Sequence, residues 1–265
     1  TNGEGSLSIL KSYFPDNIVY VNNKNQYVFA QILPELAKNN YKDENFKQDD
    51  KGIITYNEDG KVTTHMGVDA SKFQGNIDFK KLKEQGVEFA MLRCGFRSYG
   101  NGILNTDSSF DTFAKDAIKN NIKIGAYFFS SAITKQEAIE EADYVLDIIK
   151  PYKITYPVVI DFEEISVDSY RQENLTTEEL TDIIIAFCDK IEKAGYKPMI
   201  YSNLKGFVGR LDLTRLEKYE KWFAYYSDTP YFPYEFSIWQ YTESAKLDGV
   251  SGNTIDLNIS FKDYN

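Results

Sequence analysis

The fold is most clearly indicated by YPVVIDFEEIS, residues 156–166, in which a run of apolar residues ends on three carboxylates. Such a run is typical of a strand that is buried on both faces, as in a parallel sheet covered by helices. Strand alternation puts Asp161 and Glu163 on one face and Phe162 and Glu164 on the other. Two carboxylates about 6.6 Å apart at a buried strand end repel each other, which predicts a raised pKa for one of them.

From residue 66 onward, strand-like segments alternate with amphipathic helical ones. The eight strand candidates are MGVDAS (66–71), FAMLRCGF (89–96), KIGAYFFSS (123–131), YPVVIDF (156–162), KPMIYSN (197–203), KWFAYYS (221–227), FSIWQYT (236–242) and TIDLNIS (254–260). Helical segments at 77–86, 109–121, 136–150, 176–195 and, more weakly, 204–220 follow the first five. Eight strands over about 200 residues favour a closed sheet. We therefore predict an α/β fold, an irregular TIM-like (β/α)5β3 barrel over residues 66–265.

Residues 1–65 are polar and read as irregular, with short apolar pieces at 17–21 and 27–33. GIITYNEDGKVTTH has two β-rich arms around Asp59-Gly60, which predicts a hairpin. These pieces do not supply a core for an independent domain. We therefore expect residues 1–65 to be a small N-terminal extension packed on the barrel; its role, whether spacer, wall-targeting element or barrel cover, is open.

Composition excludes several classes of function. The net charge of −10 argues against nucleic acid as a partner, and no window approaches the roughly 18 apolar residues of a membrane span. The N-terminus has no signal-peptide pattern, so we expect any export signal to have been removed. His65 is the single histidine, so histidine-based catalysis and multi-histidine zinc sites have little support. No nucleotide-binding glycine motif is present, and Cys94 and Cys188 read as buried free thiols.

Acidic residues recur where the predicted strands end. Asp69 ends GVD, Asp161 and Glu163 end PVVIDFE, and Asp256 lies in TIDLN. In a barrel of this type the chemistry lies at the carboxyl ends of the strands. Each residue taken singly is more often a cap, a turn residue or an ion-pair partner. Their recurrence, with little competing chemistry in the chain, favours a carboxylate-based active site.

Seven motifs then occur in the order seen in one enzyme family: MGVDASKFQGNIDF, GAYFFS, the DFE of PVVIDFEE, PMIYSN, KWFAYYSD, SIWQYT and GNTIDLN. Over residues 66–265 the chain resembles the family 25 glycoside hydrolases, which are lysozymes (N-acetylmuramidases). The resemblance implies hydrolysis of the β-1,4 bond from N-acetylmuramic acid to N-acetylglucosamine in peptidoglycan. It also suggests retention of configuration, with the substrate's N-acetyl group as a candidate nucleophile. The chain departs from many members at Phe128, where they have His, and altered glycan contacts are expected there.

The resemblance maps the catalytic residues onto Asp161, Glu163, Asp69 and Asp256. Glu163 is expected to protonate the leaving sugar oxygen, Asp161 to raise the pKa of Glu163, and Asp69 and Asp256 to orient the sugar or act as the second carboxylate. Aromatic residues near strand ends are candidates for stacking on sugars, although each could equally belong to the core: Tyr127, Tyr201, Tyr226 and Trp239. Gln240 is a candidate hydrogen-bond partner for an acetamido group.

The expected partner is therefore the peptidoglycan glycan strand, bound by a secreted or wall-associated monomer without metal or cofactor. Two alternatives stay open at this point. A catalytically silent glycan-binding barrel would keep the aromatic residues without needing a proton donor. A hydrolase with a carboxylate-held divalent metal is the other, because clustered Asp and Glu also bind hard cations.

Overall fold

The computed structural model describes residues 2–265, with side chains from residue 5 onward. One α-helix, five strands and a 3-10 helix at Asp43–Asn45 precede the barrel in the described residues. The helix and strands are α1 (Asn2–Tyr13), β1 (Asn17–Val21), β2 (Tyr27–Gln31), β3 (Phe46–Gln48), β4 (Ile54–Glu58) and β5 (Lys61–Val62). Strands β1 and β2 form an antiparallel hairpin, and β3, β4 and β5 form a small antiparallel sheet. The predicted hairpin at Asp59-Gly60 is confirmed, because both residues have positive φ, 50° and 77°, between the paired strands β4 and β5.

The prediction of irregular structure is wrong for helix α1. Leu7, Leu10 and Lys11, three and four positions apart, are partly buried, whereas Ile9 and Tyr13 are exposed. The helix contacts β1. Its stability therefore comes from a neighbour in the fold rather than from a strong apolar stripe of its own.

Eight strands close the barrel, as predicted: β6 (His65–Ala70), β7 (Phe89–Arg97), β9 (Lys123–Phe129), β10 (Val158–Asp161), β11 (Pro198–Asn203), β12 (Glu220–Ala224), β13 (Ile238–Ala245) and β14 (Ile255–Ser260). The short strand β8 (Leu104–Thr106) pairs only with β7, at the outside. Closure is direct, because β6 pairs with β7 on one side and β14 on the other.

Five helices alternate with the barrel strands: α2 (Phe79–Glu84), α3 (Phe110–Lys119), α4 (Lys135–Ile149), α5 (Thr177–Lys193) and α6 (Leu204–Gly209). The predicted start of α5 is confirmed as a capping box between Thr176 and Glu179. Helix α6 is only six residues long, so the weak periodicity over 204–220 overstated its length.

The last strand of the barrel is antiparallel to its neighbours, so the barrel sheet is not purely parallel. Strand β14 runs antiparallel to both β13 and β6, because the connection from β13 is too short to return to the other end of the barrel. Asp256, at the start of β14, therefore lies at the end where the parallel strands finish. The register places Asp256 directly opposite Asp69 of β6.

The barrel interior is an apolar plug with a polar mouth. Phe89, Met91, Val159, Met199 and Ile238 are fully buried inside the barrel. The plug is tight enough to require glycine at residue 67, because a Cβ there would lie 2.2 Å from the Phe89 ring. Carboxylates at the mouth are consequently held against a low-dielectric floor.

Side chains from the first 65 residues contact the outer barrel wall. Tyr41 stacks on Phe261, with ring centroids 3.9 Å apart, and Phe46 meets Trp239 edge-on at 5.3 Å. The division into residues 1–65 and 66–265 stays a prediction. Among residues 2–265 no helix combines the length and apolar character needed to cross a membrane. Cys94 and Cys188 are buried free thiols, as predicted.

Candidate active site

Four carboxylates converge at the barrel mouth. Asp69 lies in β6, Asp161 is the last residue of β10, Glu163 follows two residues later, and Asp256 lies in β14. They line a cavity of about 90 Å³ together with Tyr127, Tyr201, Trp222 and Gln240. The structure thus brings together all four acidic residues that the sequence analysis singled out.

Asp161 and Glu163 form the first pair, although β10 ends at Asp161 and Glu163 lies beyond it; Glu164 is directed elsewhere and pairs with Arg210. Asp161 is only 4% exposed, and its buried Oδ1 accepts no hydrogen bond from an N–H or hydroxyl group of the described residues. Burial, then the charge of Glu163, raises the pKa of Asp161 well above its usual range. Burial likewise raises the pKa of Glu163, and the charges of Asp69 and Glu243 add to the rise. The expectation that Asp161 raises the pKa of Glu163 is wrong, because contact with the Asp161 carboxyl lowers it. The pair therefore retains a shared proton at pH values where isolated carboxyls have lost theirs.

Asp69 and Asp256 form the second pair, which is surrounded by amide donors. Oδ2 of Asp69 accepts hydrogen bonds from Gln240 Nε2 at 2.7 Å and Asn258 Nδ2 at 2.8 Å. Trp222 donates its indole N–H to Asn258 Oδ1 at 2.7 Å, which fixes the orientation of that amide.

These contacts separate the two members of the second pair. Burial raises the pKa of Asp69, but the amide donors oppose the rise by stabilising its charged form. Burial, then the charge of Asp69, raises the pKa of Asp256 to about 9. Within the pair, the amide donors thus favour the charged form of Asp69, whereas burial and the neighbouring charge favour the protonated form of Asp256.

Gln240 lies between the two aspartates and two tyrosines. Its Nε2 donates to Asp69 and, at 3.1 Å, to Asp256. Its Oε1 accepts hydrogen bonds from Tyr201 at 2.7 Å and Tyr226 at 3.0 Å. The amide is therefore hydrogen-bonded to four protein side chains, and the expectation that it binds an acetamido group stays a prediction.

The aromatic candidates divide into two groups. Tyr127, Tyr201 and Tyr226 line the mouth, and Tyr226 is 49% exposed, so its ring is accessible to a ligand. Trp239 has no exposed surface, and its indole N–H donates to the Tyr225 carbonyl at 2.8 Å. Alternation along β13 turns Trp239 outward, because Gln240 beside it points into the barrel.

Phe128 is also fully buried, and it does not line the mouth or the adjoining groove. Its side chain therefore does not provide the altered glycan contacts that we expected at this position. Two residues of the site escaped the sequence analysis. Asn258 could have been found from the period of two that starts at Asp256. Trp222 carried no distinguishing pattern, because it and the adjacent Phe223 are both large, apolar and buried, on opposite faces of β12.

A larger groove of about 530 Å³ adjoins the carboxylate cavity and shares Glu163 and Tyr201 with it. Glu163 thus borders both spaces, whereas Asp161 lines only the inner one. Within the described part of the chain no group of three or more His, Cys, Asp or Glu has an arrangement suited to a metal ion.

Solved structures share this fold. The spore cortex lytic enzyme SleM of Clostridium perfringens has a TM-score of 0.65 at 28% identity, over 77% of this chain and 69% of SleM. A family 25 glycosyl hydrolase from Bacillus anthracis has a TM-score of 0.64 over 79% of this chain and 93% of its own, at 23% identity, which is a likeness of fold alone. The curated autolytic lysozyme of Clostridium acetobutylicum is 24% identical over 188 residues, 71% of this chain and 53% of the lysozyme. The chain thus spans about half the length of that relative.

The family model described as glycosyl hydrolases family 25 matches residues 68–250. The match contains Asp69, Asp161 and Glu163 and ends shortly before β14 and its Asp256. It covers well over half of the sequence, in agreement with the motifs and with the closed barrel. This chain belongs to glycosyl hydrolase family 25.

Proposed function

We propose that this protein is a lysozyme that hydrolyses the β-1,4 bond between N-acetylmuramic acid and N-acetylglucosamine in bacterial peptidoglycan by carboxylate general-acid catalysis. The observation that carries the proposal is the buried Asp161–Glu163 pair, which shares a proton beside an open groove. Glycoside hydrolysis needs such a group, because the departing sugar oxygen must be protonated as the bond breaks.

Glu163 is the proton donor in this mechanism. It borders both the inner cavity and the groove, so its carboxyl can reach a glycosidic oxygen that Asp161 cannot. The proton moves from Glu163 to that oxygen while the C–O bond breaks. Water later adds its hydroxyl group to the anomeric carbon and returns its other proton to Glu163. Burial and the charges of Asp69 and Glu243 keep the pKa of Glu163 raised, and Asp161 remains in the inner cavity as its proton-sharing neighbour.

Asp69 supplies the compensating negative charge. The positive charge that develops at the anomeric centre faces a carboxylate that two amide donors hold ionised. Asp256 carries the proton of the second pair and can orient the acetamido group that assists the cleavage. The two pairs therefore divide the work: one provides a proton and the other a charge.

Mass spectrometry of the fragments released from purified peptidoglycan tests the proposal. A muramidase yields fragments with N-acetylmuramic acid at the reducing end, and Glu163→Gln should yield none. A protein that binds glycan but releases no fragments would instead be a silent glycan-binding barrel. Activity that disappears with EDTA and returns with a divalent cation would favour the metal-dependent alternative.

The substrate lies in the cell wall, so we place the protein there or in the surrounding medium. The acidic balance of the chain offers no general attraction to a wall rich in anionic polymers. Affinity must then come from contacts with the sugars. We propose that a single copy is sufficient, because the four carboxylates come from one chain.

A further inference from the structure

The groove beside Glu163 has two walls that come from different parts of the chain. One wall belongs to the barrel mouth and includes Tyr201 and Tyr226. The other belongs to the segment before the barrel and includes Leu7 and Lys11 of α1 and Val21 of β1. The family model begins only at residue 68, so this second wall lies outside it.

The second wall is apolar where it faces the groove. Leu7 and Val21 present partly exposed aliphatic side chains, with the fully buried Val19 behind them, and the accessible Tyr226 ring lines the same groove. Sugar rings combine an apolar face with a polar edge, and sites for them pair apolar surfaces with a few polar groups. Here Asn203 and Glu243 supply such polar groups.

Specific contacts fix α1 and β1 to the barrel rim. Lys11 donates to the Tyr225 hydroxyl at 2.9 Å, and its ammonium lies 3.8 Å from the centre of the Tyr231 ring. The Tyr231 hydroxyl in turn accepts a hydrogen bond from the backbone N–H of Val19 at 3.0 Å. A wall held in this way keeps the width of the groove constant, which reduces the ordering cost of binding.

The β1–β2 hairpin also contacts the loop that carries the proton donor. Asn23, at its tip, donates to Glu164 Oε2 at 2.9 Å and accepts from Lys205 at 3.0 Å. Glu164 is the immediate neighbour of Glu163. The segment before the barrel therefore lines the groove and also contacts the side chain of the residue next to Glu163.

We propose that α1 and β1 form one wall of a glycan subsite, so that sugar units beside the cleaved bond bind between the segment before the barrel and the barrel mouth. The choice of ligand rests on the proposed function. The groove is continuous with the carboxylate cavity through Glu163 and Tyr201, and at about 530 Å³ it lies within the range of small-molecule sites. The segment thus contributes affinity for glycan rather than catalysis.

The test introduces a charge on the groove side of α1 and, as a matched control, on its outer side. Leu7→Asp places a carboxylate in the groove, whereas Ile9→Asp makes the same substitution at a side chain that is 57% exposed and outside the groove lining. With soluble glycan oligomers as substrate, Leu7→Asp should raise KM by about fivefold or more with kcat within about twofold of wild type, the pattern of lost uniform binding. Ile9→Asp should change neither constant. Val21→Asn probes the same wall from β1 and should raise KM in the same way, which guards against a local effect on the helix.

A binding measurement separates this inference from the proposed function. In the Glu163→Gln background, the dissociation constant for purified uncleaved glycan strands should rise about fivefold on adding Leu7→Asp and should not change on adding Ile9→Asp. This readout applies even if the wild-type protein proves to cleave nothing, which would contradict only the proposed function. Unchanged glycan binding in Leu7→Asp and Val21→Asn would overturn the subsite, and so would equal losses in Leu7→Asp and Ile9→Asp.

Discussion

The two carboxylate pairs at the barrel mouth are both buried but are surrounded by different groups. Oδ1 of Asp161 has no hydrogen-bond donor among the residues that the structure describes, and its carboxyl neighbour is Glu163. Asp69 is about as buried, 6% against 4% exposed, but it accepts two hydrogen bonds from side-chain amides. Burial alone favours protonation of every acid in such a site.

The difference therefore lies in the donors rather than in the depth of burial. In the Asp161–Glu163 pair, burial and like charge outweigh the charge of Arg93 and favour keeping a proton. In the other pair, Gln240 and Asn258 stabilise a charge on Asp69, and the proton is left to Asp256. A barrel mouth with four acids can consequently provide a general acid and a fixed anion at the same pH.

The largest expected effect comes from removing the proton donor. Glu163→Gln should reduce the rate of peptidoglycan cleavage by about 10³-fold or more, because general-acid catalysis is lost while shape is kept. The temperature of unfolding should stay the same or rise, since the repulsion with Asp161 disappears. Asp228→Asn, at an exposed aspartate, is the control and should retain full activity. Retention of a tenth of the activity in Glu163→Gln would refute the assignment.

The second effect separates the members of the other pair. Asp69→Asn should lower kcat by about 10²-fold, because it removes the fixed anion opposite the developing positive charge. Asp256→Asn should lower kcat by less than about tenfold, because an amide resembles the protonated carboxyl that this residue carries. Kinetics of both variants on purified glycan strands, with folding checked by circular dichroism, make the measurement. The reverse order of effects would place the charge on Asp256.

The third effect concerns the tryptophan that supports the anion. Trp222→Phe removes the N–H that orients Asn258, so Asp69 should be held less firmly in its charged form. We expect kcat to fall about fivefold, the equivalent of one hydrogen bond. Trp239→Phe is the matched comparison, because it also removes a buried indole N–H but on the outer side of the barrel.

Trp239→Phe should leave kcat within about twofold of wild type and lower the temperature of unfolding by a few degrees. Thermal unfolding and initial rates measured on both variants distinguish the two roles. Equal losses of activity would show that the two tryptophans act only through stability.

The sequence allowed the barrel and its acids to be predicted because both depend on short-range patterns. Strand runs and helical stripes gave the eight barrel strands, and alternation in DFE separated Asp161 and Glu163 from Glu164. Trp239 was expected near the mouth because large apolar residues occur on both faces of β13. Such a strand does not reveal which of its faces points into the barrel. Gln240 could have fixed that phase, because two adjacent strand residues cannot both point inward.

Other features depended on partners distant in the chain. The amide network around Asp69 joins β6, β13 and β14, and no spacing in the sequence indicates which acid receives its donors. Helix α1 was missed for a similar reason, because its buried face is weakly apolar and is completed by β1. The different surroundings of the two acid pairs therefore depend on the closed barrel and could not be predicted from the sequence.

The smallest expected effect is a pH dependence of stability that arises from the second pair. The pKa of Asp256 rises from 3.8 to about 9 on folding, so between these values the folded protein binds a proton that the unfolded chain has released. Stability from this group is therefore fully present below pH 3.8 and is lost as the pH rises toward 9.

Asp256→Asn removes this dependence without changing the shape of the side chain. We expect the variant to unfold about 3 °C or more above wild type at pH 8, and the difference to shrink as the pH is lowered toward 4. Thermal unfolding across this range, with Asp228→Asn as the control, makes the measurement. A constant difference at all pH values would mean that Asp256 is ionised in the folded protein, and the proton of the second pair would then have to be assigned to Asp69.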